Sequence, residues 1–276
     1  MGVHASAANA AHWRASWVRS GDGSQPPNAN VCPEATTTGV RVAFEQVAEL
    51  WVAHMGLTPY RDGLELQEAL RERRQADELP DMLLVLEHPP VYTKGRRTQA
   101  ADLPMGEDWY RAQGIEVCET NRGGRVTYHG PGQLVSYPIM AISDVPAFVH
   151  GLERAMIDAL AGEGISADVL DGETGVWAGG AKIGSIGVHV SRGVTTHGLA
   201  VNVDNDLQPF GWIVPCGIEH VRMTSVSKET GRAGSLPCFR RRLAHRVASE
   251  FGLRQRLVTP RRLLAAPERS LESVVS

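Results

Sequence analysis

Apolar residues recur at helical spacing in three parts of the chain. The clearest pattern places six apolar residues on one helical face: Phe148, Leu152, Ala155, Met156, Ala159 and Leu160. Asp144 precedes this helix as an N-cap, and Gly162 or Gly164 ends it. A second helix is predicted over residues 59–75, with three residues facing inward: Leu66, Ala69 and Leu70. A third follows from four apolar residues at intervals of four: Phe239, Leu243, Val247 and Phe251.

Apolar runs without helical spacing predict strands. The most continuous run is Met82–Leu86, which Pro80 precedes and Pro89–Pro90 ends. Further strands are predicted at residues 50–54, 115–119, 134–140, 169–177, 181–190 and 196–203. Because strands dominate the middle of the chain and helices interrupt them, we expect an α+β fold.

Composition divides the chain into three regions. Residues 1–42 are rich in Ala, Ser, Asn, Gly and Pro without a sustained period, which predicts a disordered N-terminal extension. Residues 43–258 are predicted to form one domain, and residues 259–276 a C-terminal tail. The first 20 residues contain two arginines and no acid but lack the apolar centre of a signal peptide. A weak organelle-targeting segment is the alternative to an unstructured extension.

Charge and cysteine content exclude several classes of protein. The 276 residues have a formal net charge of −3, which excludes a strongly basic nucleic-acid binder. The sequence holds no run of 18 apolar residues, so we expect no membrane span. The four cysteines are widely spaced without a CxxC pair, which is typical of reduced thiols in a cytoplasmic protein. Glycine is concentrated: 17 of the 29 glycines lie between Arg122 and Gly217.

The first candidate segment within that window is Arg122–Gln133, in which glycine and proline alternate with polar side chains. Glycines allow sharp turns and let a ligand lie against main-chain N–H groups. The alternative is a plain hairpin that carries polar residues. The segment lacks the GxxxxGK[ST] pattern of a phosphate-binding loop.

Two further segments contain a single reactive side chain each. Lys182 stands among small and apolar residues, where it either is a solvated charge at a sheet edge or lies buried and stabilises an anion. Cys216 lies between Pro215 and Gly217, where it either packs as a small core residue or, beside a cation, acts as a nucleophile. The C-x3-H spacing to His220 supplies only two of the four ligands that a structural metal site needs.

Four motifs in this order resemble the lipoyl(octanoyl) transferase family. They are RGGRVTYHGPGQLVSYPI from Arg122, KIGSIGV from Lys182, HGLAVNVDNDL from His197 and PCGI from Pro215. The resemblance extends over about residues 48–250. It implies an enzyme that moves an octanoyl group from acyl carrier protein to lipoyl domains, the first step of endogenous protein lipoylation in lipoate biosynthesis. The implied fold is an α+β domain around a mixed sheet, similar to the catalytic domain of biotin- and lipoate-protein ligases.

The resemblance also implies the role of individual residues. Cys216 corresponds to the nucleophile that forms an acyl-thioester, and Lys182 to the lysine that stabilises the thiolate and shuttles a proton. The residues that correspond to the lining of the acyl pocket are Arg122, Gly123, Gly124, Arg125, Val126, Thr127, Tyr128, His129, Ser185, Ile186, Gly187, Gly198, Leu199 and Ala200. We expect the missing side chains of Gly184, Gly187 and Gly198 to leave room for the acyl chain. No cofactor or metal is implied.

Two points of the mechanism stay open at this level. The oxyanion of the tetrahedral intermediate needs fixed donors, either main-chain N–H groups around Cys216 and Gly217 or the His129 ring. The attacking amine of the second half-reaction needs a base, either Lys182 or His129. The implied donor is octanoyl-acyl carrier protein. The implied acceptors are the lipoyl domains of 2-oxoacid dehydrogenase complexes and the glycine cleavage H protein.

Two other functions are alternatives to octanoyl transfer. An ATP-dependent lipoate or biotin ligase shares the implied fold but needs no cysteine, and a non-catalytic binder of carrier or lipoyl domains needs neither Cys216 nor Lys182. Residues 239–262 contain eight arginines and one glutamate. This stretch is either a solvated helix face or a surface that steers an acidic carrier.

Overall fold

Runs of one to four strands are separated by helices along the described parts of the chain. This computed structural model describes residues 47–215 and 221–265, which belong to one compact unit. Its strands are β1 (Glu49–Leu57), β2 (Met82–Glu87), β3 (Val91–Lys94), β4 (Glu116–Glu119), β5 (Thr127–His129), β6 (Gln133–Ile139), β7 (Ala167–Leu170), β8 (Glu173–Ala178), β9 (Ala181–Ser191), β10 (Val194–Asn202) and β11 (Arg254–Leu257). Its α-helices are α1 (Tyr60–Gln75), α2 (Glu107–Ala112), α3 (Val145–Ala161), α4 (Val226–Thr230), α5 (Leu236–Glu250) and α6 (Pro260–Leu264). Two 3₁₀ turns cover Ala100–Asp102 and Gln208–Trp212.

Eight of these strands form one mixed sheet in the order β11-β1-β2-β6-β10-β9-β8-β7. The pairs β1–β11 and β1–β2 are parallel, and the remaining neighbours are antiparallel. A second sheet, in the order β4-β3-β5, pairs β3 in parallel with β4 and antiparallel with β5. The α+β architecture with a mixed sheet is therefore confirmed.

The two faces of the large sheet carry different layers. Leu134 of β6 belongs to the main core, together with Leu83 and the apolar faces of α3 and α5. Since successive side chains of a strand point to opposite faces, Val135 and Tyr137 point to the other face. Helix α1 covers that face, where it contacts β6 and β10. The sheet thus separates the main core from the α1 layer.

Local sequence explains why the predicted helices begin and end where they do. Asp144 caps α3, because its Oδ1 accepts the N–H of Ala147 at 2.9 Å, and Gly162 follows the last turn. Helix α1 starts directly after Pro59. Its inward face differs in one place from the prediction, since Ala69 is exposed and Gln67 is buried. Gln67 is buried because its side-chain oxygen accepts the N–H of His197 on β10, a partner that the sequence of α1 does not reveal.

Several short strands were not predicted, and one prediction was wrong. The strand expected at residues 169–177 is the hairpin β7–β8, whose turn contains Gly172 with φ of +80°. Strand β3 follows Pro89–Pro90, which the prediction treated only as a stop. Strand β11 reads Arg-Gln-Arg-Leu and has no apolar alternation. Helix α6 lies beyond residue 258, and Leu263 in it is buried.

Candidate active site

A small cavity lies on the α1 face of the large sheet. Its walls come from α1, β6, β9, β10 and β5 with the loop that leads into it. The lining residues are Tyr60, Arg122, Gly124, Arg125, Thr127, His129, Val135, Tyr137, Ser185, Ile186, Gly187, His197, Gly198, Leu199 and Ala200. We call it the first cavity. Its volume is about 50 Å³, whereas a buried cavity of about 150 Å³ admits benzene. An eight-carbon chain therefore enters only if the walls move apart.

Arg122 fixes one wall of the first cavity to the small sheet. The side chain is nearly buried, and its Nε and Nη2 donate to Thr93 Oγ1 at 3.1 and 2.8 Å. Nη1 donates to the carbonyl of Gly123 at 2.9 Å. A buried guanidinium with these partners holds the following glycines against β3 and forms a rigid base for the loop.

His88 and Tyr137 form a buried pair behind the cavity wall. His88 Nδ1 lies 2.6 Å from the carbonyl of Thr58, an acceptor, so Nδ1 carries the proton. Nε2 then accepts the hydroxyl proton of Tyr137 at 2.6 Å. Burial lowers the pKa of His88 to about 4, so its ring is neutral near pH 7. The hydroxyl of Tyr137 therefore turns its proton away from the cavity.

The protonation of His129 is also determined by its partners. The amide nitrogen of Gln133 donates to the carbonyl of Tyr128 at 3.1 Å and to Asn202 Oδ1 at 2.9 Å. Gln133 Oε1 must then accept from His129 Nδ1, 2.7 Å away. Burial, with a smaller contribution from His88, lowers the pKa of His129 to about 3. His129 is a neutral ring with its proton on Nδ1 and an acceptor at Nε2.

His197 adopts a backbone conformation that is uncommon for a residue with a side chain. Its φ is +55°, in the left-handed region. The conformation is held by Gln67 of α1, whose Oε1 accepts the N–H of His197 at 2.6 Å, and by Asn121, whose Oδ1 lies 2.6 Å from Nε2. Burial lowers the pKa of His197 to about 3. This explains why α1 buries Gln67, and it places a locally strained residue at the cavity wall.

Lys182 is buried in β9, with 2% of its surface exposed. Its Nζ donates to the carbonyl of Thr174 at 2.9 Å and lies 4.6 Å from the centre of the Trp177 ring. Gly175 allows this approach, because a Cβ there would lie 2.9 Å from Lys182 Cε. A solvated sheet-edge charge is therefore the wrong interpretation, and Lys182 is a buried cation.

Glu153 of α3 supports the strand that contacts Lys182. The carboxylate is nearly buried, and its Oε1 accepts the N–H of Gly175 at 3.0 Å. His150 Nδ1 lies 2.9 Å from the other oxygen, Oε2. Because Gly175 follows Thr174, this contact fixes the carbonyl that receives the ammonium group of Lys182.

A second cavity, of about 240 Å³, adjoins the first. Its lining residues are Arg97, Gly123, Gly124, Arg125, Val149, Gly172, Glu173, Thr174, Lys182, Ile186, Gly187 and Val188. Four residues line both cavities: Gly124, Arg125, Ile186 and Gly187. Lys182 therefore lies at the second cavity, beside the wall that the two cavities share.

Cys216 lies outside the described residues, as do Gly217 and His220. The described chain on either side is anchored to the candidate site. Before Cys216, the N–H of Val214 donates to the carbonyl of Asp102 at 3.0 Å. After it, the N–H of Lys182 donates to the carbonyl of Arg222 at 2.8 Å, and the N–H of Thr224 donates to the carbonyl of Lys182 at 3.0 Å.

The structure brings most of the predicted pocket residues together and leaves three elsewhere. Val126 and Tyr128 pack in the core beneath the small sheet, and Gly123 lines only the second cavity. Residues that the prediction missed are Tyr60, Val135, Tyr137 and His197. Val135, Tyr137 and His197 lie within the quoted motifs, which was the available signal, whereas Tyr60 belongs to α1 and carried none.

The glycines act differently from the expectation. A Cβ at Gly184 would lie 3.0 Å from Met156 in the main core, so this glycine does not widen the first cavity. A Cβ at Gly198 would lie 2.3 Å from the carbonyl oxygen of Ser136. Gly184 and Gly198 therefore allow neighbouring elements to approach one another closely. Of the three glycines expected to leave room for the acyl chain, Gly187 and Gly198 line the first cavity and Gly184 does not.

Within the described ranges, no group of three or more His, Cys, Asp or Glu side chains is arranged to hold a metal ion. The same part of the chain contains no helix that combines the length and the apolar character needed to cross a membrane. Of the cysteines described, Cys118 is buried and Cys238 is exposed. Burial raises the pKa of the Cys118 thiol to about 11, which keeps it protonated and unreactive near neutral pH.

Three kinds of comparison place the chain among known proteins. Residues 59–248 match the family model described as the lipoyl protein ligase A/B catalytic domain. The lipoate protein ligase of Thermoplasma acidophilum superposes with a TM-score of 0.59 at 18% identity, over 79% of this chain and 91% of that chain. Lipoate-protein ligase A bound with ATP superposes with a TM-score of 0.58 at 16% identity, over 79% and 93%. These likenesses confirm the expected fold.

Relatives named octanoyltransferase are much more similar in sequence. The protein of Rubrobacter xylanophilus is 48% identical over 64% of this chain and 82% of its own length. That of Corynebacterium efficiens is 45% identical over 66% and 73%, and that of Chloroflexus aggregans is 44% identical over 74% and 96%. The chain therefore belongs to the octanoyltransferases within the lipoyl protein ligase A/B catalytic-domain family.

Proposed function

We propose that this octanoyltransferase works through a thioester on Cys216 with Lys182 as its electrostatic and proton-transfer partner. The observation that carries the proposal is Lys182 itself. Its buried ammonium group lines the second cavity beside the wall shared with the first, and its main chain pairs with Arg222, six residues after Cys216. A free thiol titrates near 8.5, so only a few per cent is thiolate at pH 7. A nearby ammonium raises that fraction.

The first half-reaction exchanges one thioester for another. The Cys216 thiolate attacks the carbonyl carbon of the donor thioester, and the tetrahedral intermediate expels the phosphopantetheine thiolate, which takes up a proton. The partners of His129 favour main-chain N–H groups as oxyanion donors, since the only ring proton of His129 is already donated to Gln133. Removing one such donor costs about 10²–10³ in rate in well-studied enzymes.

The second half-reaction forms an amide. The neutral amine of the target lysine attacks the acyl-thioester carbonyl, loses a proton, and expels the Cys216 thiolate. A base with a pKa of about 3, such as His129, takes a proton poorly near pH 7. This favours Lys182, after it has given its proton to the departing thiol, as the base.

The octanoyl chain is proposed to bind in the first cavity. Val135, Ile186, Leu199 and Ala200 supply apolar walls there. Burying seven methylene or methyl groups at about 0.8 kcal/mol each gives roughly 5–6 kcal/mol of gross stabilisation. Because this cavity is small, part of that free energy is used to separate the walls.

We infer the partners from the same resemblance: octanoyl-acyl carrier protein as donor, and as acceptors the lipoyl domains of 2-oxoacid dehydrogenase complexes and the glycine cleavage H protein. No nucleic acid, membrane, metal or cofactor is part of this proposal, and we expect the enzyme to act in the cytoplasm.

An ATP-independent transfer assay separates this proposal from an ATP-dependent ligase. The protein is incubated with octanoyl-carrier and a lipoyl domain, without ATP, and the octanoylated domain is measured by mass spectrometry. We expect transfer without ATP. If the lipoyl domain is modified only when free octanoate and ATP are supplied, the protein is a ligase. If the protein binds the carrier and the lipoyl domain but modifies neither, it is a binder.

A further inference from the structure

The second cavity has a character different from that of the first. Its volume is about 240 Å³, against about 50 Å³ for the first cavity. Its charged lining consists of Arg97, Arg125, Lys182 and one carboxylate, Glu173. Cations therefore outnumber acids, and the cavity suits a ligand that carries negative charge.

Each cation of the second cavity is held at a different depth. Lys182 is buried beside Thr174, and Arg125 is bound to the buried carboxylate of Asp102, with 2.9 Å between Nε and Oδ2. Arg97 has an exposed side chain, while its main-chain N–H donates to the carbonyl of Gly124 at 3.1 Å. A cation on a fixed main chain at the outer part of a cavity is placed to bind a phosphate.

The order of events in a thioester mechanism assigns the two cavities to different parts of the donor. During acylation the apolar chain occupies the first cavity, and the thioester carbonyl must lie near Lys182, beside the shared wall. The rest of the donor then extends away from the first cavity. The space next to Lys182 on that side is the second cavity.

We propose that the second cavity binds the phosphorylated pantetheine arm of the donor, with Arg97 as the residue that binds its phosphate. This inference rests on the proposed function, because it takes Cys216 and Lys182 as the reaction centre. The excess of cations favours the anionic donor arm over the cationic side chain of the acceptor lysine. The acceptor lysine then reaches the thioester after the thiol product has left.

The test compares two small donors that differ only in the phosphate: octanoyl-phosphopantetheine and octanoyl-pantetheine. The measured quantity is the second-order rate constant for appearance of the acyl-enzyme, by intact mass spectrometry. Arg97→Gln is the test variant. Arg96→Gln is the matched control, because Arg96 is the neighbouring exposed arginine and lines a different cavity, beside Lys94 and Glu107.

We expect the unaltered protein and Arg96→Gln to prefer the phosphorylated donor, and Arg97→Gln to lose about tenfold with that donor alone, as loss of one charge-assisted hydrogen bond implies. Equal rates for both donors in the unaltered protein, or equal losses in Arg96→Gln and Arg97→Gln, would overturn the inference. Absence of any acyl-enzyme in the unaltered protein would instead refute the proposed function.

A second variant tests occupancy of the cavity rather than its charge. Val149 lines the second cavity from α3 and does not line the first. Val149→Trp should slow acylation by both donors at least tenfold while its urea midpoint stays near that of the unaltered protein. A folded Val149→Trp protein with unchanged rates would show that the arm lies elsewhere.

Discussion

Lys182 is the residue on which the proposed chemistry depends most. The side chain is buried, contacts Thr174 and Trp177 and lines the second cavity. If it stabilises the Cys216 thiolate, Lys182→Ala should move the midpoint of the iodoacetamide pH–rate profile upward by about one pH unit, equivalent to about 1.4 kcal/mol. Octanoyl transfer should fall by about 10² or more.

The control for that measurement is Lys94→Ala. Lys94 forms ion pairs with Glu107 at 2.8 Å and with Glu119 at 2.9 Å. It lines neither the first nor the second cavity. Its replacement should leave the profile unchanged. A profile that is the same in Lys182→Ala and in the unaltered protein would contradict the role given to Lys182.

The three buried histidines predict how stability depends on pH. His88, His129 and His197 have pKa values lowered to about 4, 3 and 3, mainly by burial, whereas an unfolded chain protonates histidine near 6.5. Below that pH the unfolded state binds more protons than the folded state. Stability is therefore fully present above about pH 6.5 and decreases as the pH falls toward 4, by up to about 1.4 kcal/mol per pH unit for each histidine.

Urea unfolding at pH 7 and pH 5 measures this effect. The loss of stability between the two should be smaller in His88→Gln, which cannot take up the proton, than in the unaltered protein. His245→Gln, at an exposed position of α5, is the comparison. An identical loss in all three proteins would mean that His88 takes up its proton as readily in the folded state as in the unfolded state.

The residues of the site were predictable only in part, for a physical reason. Lys182 and the glycine-rich loop belong to contiguous motifs, so local sequence was enough to find them. Tyr60 and Gln67 reach the site because α1 packs across β6 and β10, and nothing within α1 signals that contact. Val126 and Tyr128 lie in the same motif as cavity residues, but their side chains pack in a separate apolar cluster with Tyr92 and Tyr110.

At the scale of elements, Asp102 connects three segments. Its buried carboxylate binds the guanidinium of Arg125 in the cavity loop and accepts the N–H of Gln99 at 2.9 Å. Its main-chain carbonyl accepts the N–H of Val214, two residues before Cys216. The contact therefore joins the wall of both cavities to the segment that leads to Cys216.

Breaking this pair should destabilise the protein. Arg125→Met leaves the carboxylate of Asp102 buried without its cation, which typically costs about 3–5 kcal/mol. The free energy of unfolding in urea measures the loss. Arg61→Met, which breaks the exposed pair between Arg61 and Glu116, should cost less than about 1 kcal/mol. Equal costs would mean that Asp102 is hydrated despite its position.

Elements with strong periodicity were predictable, and those defined by partners were not. Helix α3 followed from six apolar residues and the Asp144 cap, and both appear as predicted. Strand β11 carries two arginines, because it is an edge strand whose pairing with β1 decides its conformation. The prediction of one strand over residues 169–177 ignores the Asp171-Gly172 pair between β7 and β8, which is typical of a two-residue hairpin turn.

At the scale of the whole molecule, the arginines of the basic stretch 239–262 have different surroundings. Arg242 pairs with Glu163, and Arg254 and Arg256 pair with Glu49, so these three arginines serve the fold. Arg240 and Arg241 lie on α5, which packs on the sheet face opposite the first cavity. A steering role is therefore restricted to long-range attraction of an acidic carrier.

Reversing two of these charges tests that role. Arg240→Glu/Arg241→Glu should slow acylation by octanoyl-carrier several-fold at low salt and have little effect at about 1 M salt, where the screening length is about 3 Å. The small donor octanoyl-pantetheine should be unaffected under both conditions. A loss that persists at high salt, or that extends to the small donor, would exclude electrostatic steering.

The most direct test of the central claim is the intact mass of the protein after incubation with octanoyl-carrier. The account predicts an added mass of one octanoyl group on the unaltered protein, its removal when a lipoyl domain is added, and its absence from Cys216→Ser with the fold retained. An octanoyl adduct that persists in Cys216→Ser with undiminished transfer would contradict the thioester mechanism.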